Sequence, residues 1–310
     1  MAAGELQVTL DAVIVAVTDE TPRILVIDGE DHSPRLPSGP LDPGDRTLDR
    51  ALRRFVRQQA GLEVGYVEQL YTFGDLDRSA GFVGRPECSR LLSIAYLALV
   101  RESRPAAGAT WMNWYDLYPW EDQRAGPPPV LGSAIEPAVA EWVEASPTPA
   151  VRSEREERAT MVFGLGGAAW DGVRVLERYE LLYELGLLAE SAGEDPSPSA
   201  GLGRPLQLDH RRMVATALGR LRGKLTYRPV VFELLPPTFT LFQLQRLVEA
   251  LSGVRLHKQN FRRLAEGAGL VEGTGEVART GGRPAELFRF RREVLRERPR
   301  PGVGTPWTRS

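Results

Sequence analysis

Two stretches of this 310-residue sequence carry side chains suited to meeting phosphate. In the first, Leu36–Leu62, Arg50, Arg53, Arg54 and Arg57 surround Ala51, Phe55 and Val56, which fall at helical spacing. Carboxylates are scarce there: only Asp45 and Asp49 lie on that face, so the chemistry on offer is anion pairing rather than capture of a hard divalent cation. The second stretch is HKQNFRRL. Its helical pattern sets Phe261, Leu264 and Ala265 inward and His257, Lys258, Gln259, Asn260, Arg262 and Arg263 outward. Amide side chains of this kind pair with the edge of adenine and guanidinium with that of guanine, whereas Lys258 suits a phosphate. A basic helix face can equally be a solvated surface.

Both stretches need elements to hold them. The first reads as a Gly/Pro loop followed by a helix, with Thr47 as N-cap and Gly61 as left-handed C-cap. Leu6–Val17, Ile24–Asp28, Val64–Phe73 and Leu91–Val100 are rich in Val, Ile and Leu and predict strands, giving an α/β sandwich with a mixed sheet. Trp111, Trp114, Tyr115, Tyr118 and Trp120 form an aromatic cluster that serves either core packing or base stacking. Ile135–Ala145 predicts a closing helix, Ser146–Arg158 a linker or exposed loop, and Trp170–Glu190 one long amphipathic helix. Its stripe is Val173, Leu176, Tyr179, Leu182, Tyr183 and Leu187. Ser191–Pro205 is a flexible connection by composition. Helices are predicted over Asp209–Tyr227, Thr240–Leu251 and Leu256–Ala268, and then a basic hairpin whose glycine-rich tip holds Arg279, Thr280 and Arg283. Three helices and a basic hairpin are the order of a winged helix–turn–helix, in which wing arginines neutralise backbone phosphate. The expected divisions are 1–146, a 147–208 connection with its helix, 209–295 and a basic 296–310 tail.

Charge supports the division. Pro205–Ser310 carries 20 Lys and Arg against 9 Asp and Glu, whereas the rest carries 19 against 32, an asymmetry that points the C-terminal part toward a polyanion. A lone cysteine, Cys88, leaves no internal disulfide framework and suits a reducing cytoplasm. The N-terminus has no basic n-region, and Ala12–Val17 is too short for a membrane span.

Loop, helix and closing glycine resemble a Nudix box, G-x5-E-x7-R-E-U-x-E-E-x-G-U with U bulky and apolar. Gly39, Asp45, Arg54, Gly61 and Leu62 hold its scaffold positions, with one residue inserted before Arg54. Where that family carries metal-binding glutamates, Phe55, Gln58 and Gln59 stand here. The phrases YTFGD (Tyr71–Asp75), YRPVVFELLPPTFTLFQLQ, HKQNFRRL and TGGRPAELFRF resemble the Nudix-related transcriptional regulators of bacterial NAD metabolism. With its long 146–208 segment the chain looks closer to the NadQ branch than to the shorter NrtR members. The resemblance implies a homodimeric repressor that binds operator DNA and has no cofactor, catalytic residue or metal. Its N-terminal domain would sense NAD, ATP or ADP-ribose. On the effector side the candidates are Arg35, Arg54, Arg78 and Arg85, which can offset phosphate charge, with Tyr71 and Asp75 of the YTFGD phrase. A Nudix-type pyrophosphohydrolase is the alternative.

Overall fold

The computed structural model describes residues 6–29, 33–75, 90–191, 202–226, 228–278 and 284–297. In chain order the first elements are β1 (Leu6–Thr18), β2 (Thr21–Asp28), β3 (Pro34–Arg35), β4 (Ser38–Pro40), α1 (Leu48–Ala60), β5 (Tyr66–Phe73), β6 (Arg90–Leu99), β7 (Ala109–Asn113) and α2 (Trp114–Leu117). Then come α3 (Glu136–Glu144), α4 (Pro149–Phe163), α5 (Val175–Glu184), α6 (His210–Leu225), α7 (Leu241–Ser252), α8 (Lys258–Gly267), β8 (Val271–Ala278), β9 (Ala285–Phe290) and α9 (Val294–Glu297). Two compact units are distinguished. One comprises residues 1–18, 22–117 and 203–217; the other comprises 19–21, 118–202 and 218–310.

The first unit is built on a mixed sheet. Its main path runs β3-β2-β1-β6-β5, with β4 added to β1 and β7 to β2. The β1–β6 pair is parallel from Leu6↔Arg90 to Val15↔Leu99, and β5 lies antiparallel to β6. Alternation along β1 decides its two faces. Leu10, Ala12, Ile14 and Ala16 join Ala51, Leu52, Phe55, Val56 and Ala60 of α1 in one apolar core. Each large side chain of that set contributes roughly 1.5–3 kcal/mol by leaving water. Asp11 points the other way and receives the Nε2–H of buried His210 at 3.2 Å, while His210 Nδ1 accepts the Leu36 backbone N–H at 3.1 Å. That second bond fixes the neutral tautomer, because a protonated Nδ1 could not accept. Arg212 completes the attachment of the α6 start: it pairs with Asp75 at 2.5 Å and sits over the Phe73 ring.

The second unit departs most from expectation. Ser146–Arg158 is not a linker; most of it lies in α4, which Thr148 caps through a 3.3 Å bond from the Val151 N–H and which ends at left-handed Gly164. The long helix expected over Trp170–Glu190 is only the ten residues of α5. Asp171 accepts the Val173 N–H in a turn before it, and left-handed Gly186 follows it. Val173 is exposed, and the buried stripe instead contains Arg178 with Val175, Tyr179, Leu181 and Leu182. Arg178 and Arg222 share the carboxylate of Glu121, and all three are fully buried. At Gly219 a Cβ would lie 2.8 Å from the Val173 carbonyl, so only glycine lets α6 approach that turn so closely.

Helices α7 and α8 and the β8–β9 hairpin close this unit as a winged helix. Phe239 pairs with Phe288 through two backbone bonds of 2.9 and 2.8 Å, an isolated antiparallel bridge that ties the segment before α7 to β9. Phe232 stacks on Phe290 at 4.4 Å beneath it. No described helix is long and apolar enough to cross a membrane.

Candidate functional site

In the box segment the caps form as their residue types require. Thr47 accepts the Arg50 N–H at 3.2 Å, and Gly61 adopts φ 69° with its N–H on Arg57 O at 3.0 Å. Phe55, 2% exposed, packs its ring so tightly on the loop that a Cβ at Gly39 would lie 3.0 Å from it. Gln59 accepts the Ser38 N–H at 3.1 Å and donates to the Ser38 carbonyl at 2.7 Å. A neutral amide satisfies both groups of β4, whereas a glutamate would set an oxygen against that carbonyl. Gln58 is exposed. The acids are engaged as well: Asp45 receives Arg54 at 2.7 Å and the Asp42 N–H at 3.1 Å. The Arg54 hydrogen bond holds the Asp45 carboxyl below its usual range, and Asp45 in turn raises the guanidinium. Asp49 holds Arg53 at 2.8 Å. Among the described residues no group of three or more His, Cys, Asp or Glu is placed to hold a metal. This donor set does not fit the divalent ions of a hydrolytic Nudix box.

The effector candidates are scattered in their engagement. Arg35 donates to Ser38 Oγ at 3.0 Å, Arg54 is paired with Asp45, and Asp75 is committed to Arg212. Tyr71 is 64% exposed, with its ring edge-on to Phe73. Arg78 and Arg85 lie outside the described residues. Of the aromatic cluster, Trp114, Tyr115, Tyr118 and Trp120 are buried, so those four rings serve core packing rather than a stacking platform.

The helix–turn–helix is better defined. Thr240 caps α7 in a reciprocal pair with Gln243: Gln243 N–H reaches Thr240 Oγ1 at 3.1 Å, and Thr240 N–H reaches Gln243 Oε1 at 2.8 Å. Left-handed Gly253 ends α7. The turn into α8 is pinned by Glu249, whose buried carboxylate accepts from Gln245 Nε2 (2.9 Å), Arg246 (2.8 Å), Arg255 (2.8 Å) and the Leu256 N–H (3.0 Å). Burial alone would raise this carboxyl, but Arg255, the Leu256 N–H, Gln245 and Arg246 together hold it below its usual range. Glu20 adds carboxylate contacts to Arg246 at 3.3 Å and Arg255 at 3.2 Å.

So fixed, α8 buries Phe261 and Ala265 and exposes His257, Lys258, Gln259, Asn260, Arg262 and Arg263. Arg262 lies 3.5 Å from Glu266; among the described residues the other five side chains have no ion-pair or hydrogen-bond partner. Leu264 is not on the inner face as its spacing suggested, but 49% exposed. Arg279, Thr280 and Arg283 lie outside the described residues. Sequence reading missed Glu249, Gln245 and Arg255. The available signal was the Gln245–Glu249 spacing of four, which sets the two side chains one turn apart on the same flank of the helix.

Residues 231–290 match the family described as the NrtR DNA-binding winged helix domain. Over 85 residues the chain is 40% identical to the ADPR responsive transcriptional repressor NtrR of Acinetobacter baylyi, a match covering 27% of this chain and 34% of that protein. The chain thus spans about a third of the length of this curated relative. Shewanella oneidensis NrtR, solved with a 27mer DNA, is similar in fold at TM-score 0.58 and 20% identity, covering 93% of this chain and 95% of that one. A MutT/nudix family protein from Enterococcus faecalis reaches 0.53 at 15% identity, over 93% and 87%. Helix, turn, helix and hairpin occupy the matched residues, and the mixed sheet with its box helix precedes them. This chain thus carries a C-terminal segment similar to the NrtR DNA-binding winged helix domain, behind an α/β sheet domain whose fold is similar to those of NrtR and the MutT/nudix protein.

Proposed function

We propose that this chain is a homodimeric cytoplasmic transcriptional regulator, a repressor of NAD-biosynthesis genes. Its Nudix-like domain binds NAD, ATP or ADP-ribose without hydrolysing it. The observation that carries this reading is α8, which holds six polar or cationic side chains outward from a turn pinned by Glu249. The printed names of the relatives support it: one is an ADP-ribose-responsive repressor and another was solved on DNA. The absence of catalysis is supported by Phe55 packed on Gly39 and Gln59 engaged by Ser38 at positions where metal carboxylates would be needed.

Gel-shift titration on promoters of NAD-synthesis genes, with and without NAD, ATP and ADP-ribose, tests the reading. One of the three should change operator affinity; no shift on any promoter at nanomolar to micromolar protein would overturn it. Asn260→Ala should weaken operator binding by about 1–3 kcal/mol and leave random duplex nearly unaffected. A loss shared equally by both duplexes would place Asn260 on the backbone instead. Incubation with ADP-ribose, NADH or NAD plus Mg²⁺ or Mn²⁺ should release no AMP; turnover on the order of 1 s⁻¹ would favour the pyrophosphohydrolase.

A further inference from the structure

Leu264 is out of place for a residue serving only the fold. Helix α8 needs just two apolar side chains for its packing, Phe261 and Ala265, at 3% and 0% exposure. Leu264 leaves about half its surface in water on a helix whose other outward positions are polar or charged. Such exposure withholds roughly half the 1.5–3 kcal/mol that full burial of a leucine would contribute. Leu264 lies four positions after Asn260, so the two side chains stand one turn apart on the same flank. Gln259 and Arg263 form the neighbouring row in the same way. The outward surface of α8 is thus a small grid of an amide and a cation beside an amide and a branched alkyl group.

We propose that Leu264 is a specificity-determining residue that packs on a thymine C5-methyl group next to the base read by Asn260. Within the major groove that methyl is the apolar feature a base pair displays, and it distinguishes thymine from every other base. The surrounding charge argues for this occupant. Helix α8 exposes Lys258, Arg262 and Arg263 against the one carboxylate of Glu266, so a polyanion is drawn to the surface while a neutral apolar partner is not. The inference rests on the DNA-binding reading above and adds the base preference of one position.

The test uses the full chain and duplexes selected by it from a random pool. In the tightest duplex each thymine is replaced singly by deoxyuridine, which removes the methyl and keeps the hydrogen-bonding edge. For the wild-type chain, one thymine per half-site should show about a fourfold loss of affinity, the size expected for one methyl group leaving contact. With Leu264→Ala the same replacement should cost nothing further, and with Leu264→Met, which keeps apolar reach, the loss should persist. A wild-type chain indifferent to every deoxyuridine, or an unchanged penalty in Leu264→Ala, overturns the proposal while the DNA-binding reading stands. Failure to select any sequence overturns both.

Discussion

Replacing Glu121 with alanine is expected to cost about 3–5 kcal/mol of stability, because it strands two buried guanidinium groups in one step. Arg178 meets Glu121 with both nitrogens, Nε to Oε1 at 2.5 Å and a terminal nitrogen to Oε2 at 3.1 Å. Arg222 reaches the same Oε2, and its Nε donates to the Leu251 carbonyl at 3.0 Å. Arg178 Nη1 donates to the carbonyls of Val162 (2.9 Å) and Asp171 (3.0 Å), and the Trp170 ring lies 3.9 Å from the guanidinium centre. One carboxylate therefore ties together α4, α5, α6 and the C-terminus of α7, all within the second unit.

Acid should mimic the mutation. Burial alone would raise the Glu121 carboxyl, but the Arg178 and Arg222 charges outweigh it and hold the group below its usual range. A carboxyl depressed in the folded state contributes its stability above the unfolded pKa, about 4.3, and loses it as pH falls through the folded value. Urea midpoints of wild type should therefore fall as the solution is acidified below about pH 4.3, and those of Glu121→Ala should fall less over the same interval. A Glu121→Ala chain within 1 kcal/mol of wild type at pH 7 would show that the cluster relaxes without its anion.

What could be read from the sequence was local. The box helix and α7 were legible because capping residues and apolar spacing act within a few turns: Thr47 and Gly61 bound the first, and the apolar run Leu241, Leu244, Leu247, Val248 and Leu251 marks the second. The Glu121 cluster was not, since its partners lie 57 and 101 residues away in the chain. Arginine at position 178 also reads as the polar side of a helix until its partner is known. The 146–158 segment misled through composition: its prolines, serines and charges suggested a linker, although Thr148, Pro149 at the first helical position and Gly164 were start and stop signals in plain view. Leu264 misled through periodicity, because a spacing of three from Phe261 satisfies the helical pattern without deciding how wide the buried stripe is. At the box, losing the carboxylate positions was legible, but the second roles of Phe55 and Gln59 in holding the β4 loop required the fold.

On the proposed DNA-binding function, replacing Glu249 with alanine is expected to separate DNA specificity from DNA affinity. In the native turn this carboxylate accepts the Leu256 N–H two residues before α8 begins and holds Arg246 and Arg255 on either side. Without it, the Leu256 N–H and Gln245 lose a charged acceptor, worth about 1.5–3 kcal/mol of stability, and the entry to α8 loses its fixed direction. On the reading proposed above, Gln259 and Asn260 then no longer meet base edges in register, so operator affinity should drop tenfold or more, about 1.4 kcal/mol. Random duplex should bind as well as before or better. The substitution removes a negative charge and leaves Arg246 and Arg255, 31% and 47% exposed, with Glu20 as their remaining carboxylate. The salt dependence on random DNA should steepen accordingly, since more cations are free to displace counterions. Glu249→Gln, which keeps an acceptor for the Leu256 N–H, should recover part of the operator affinity. The result that would sink this account is an alanine variant that loses operator and random-duplex binding in equal proportion, because the carboxylate would then support the domain's fold and not the aim of its reading helix.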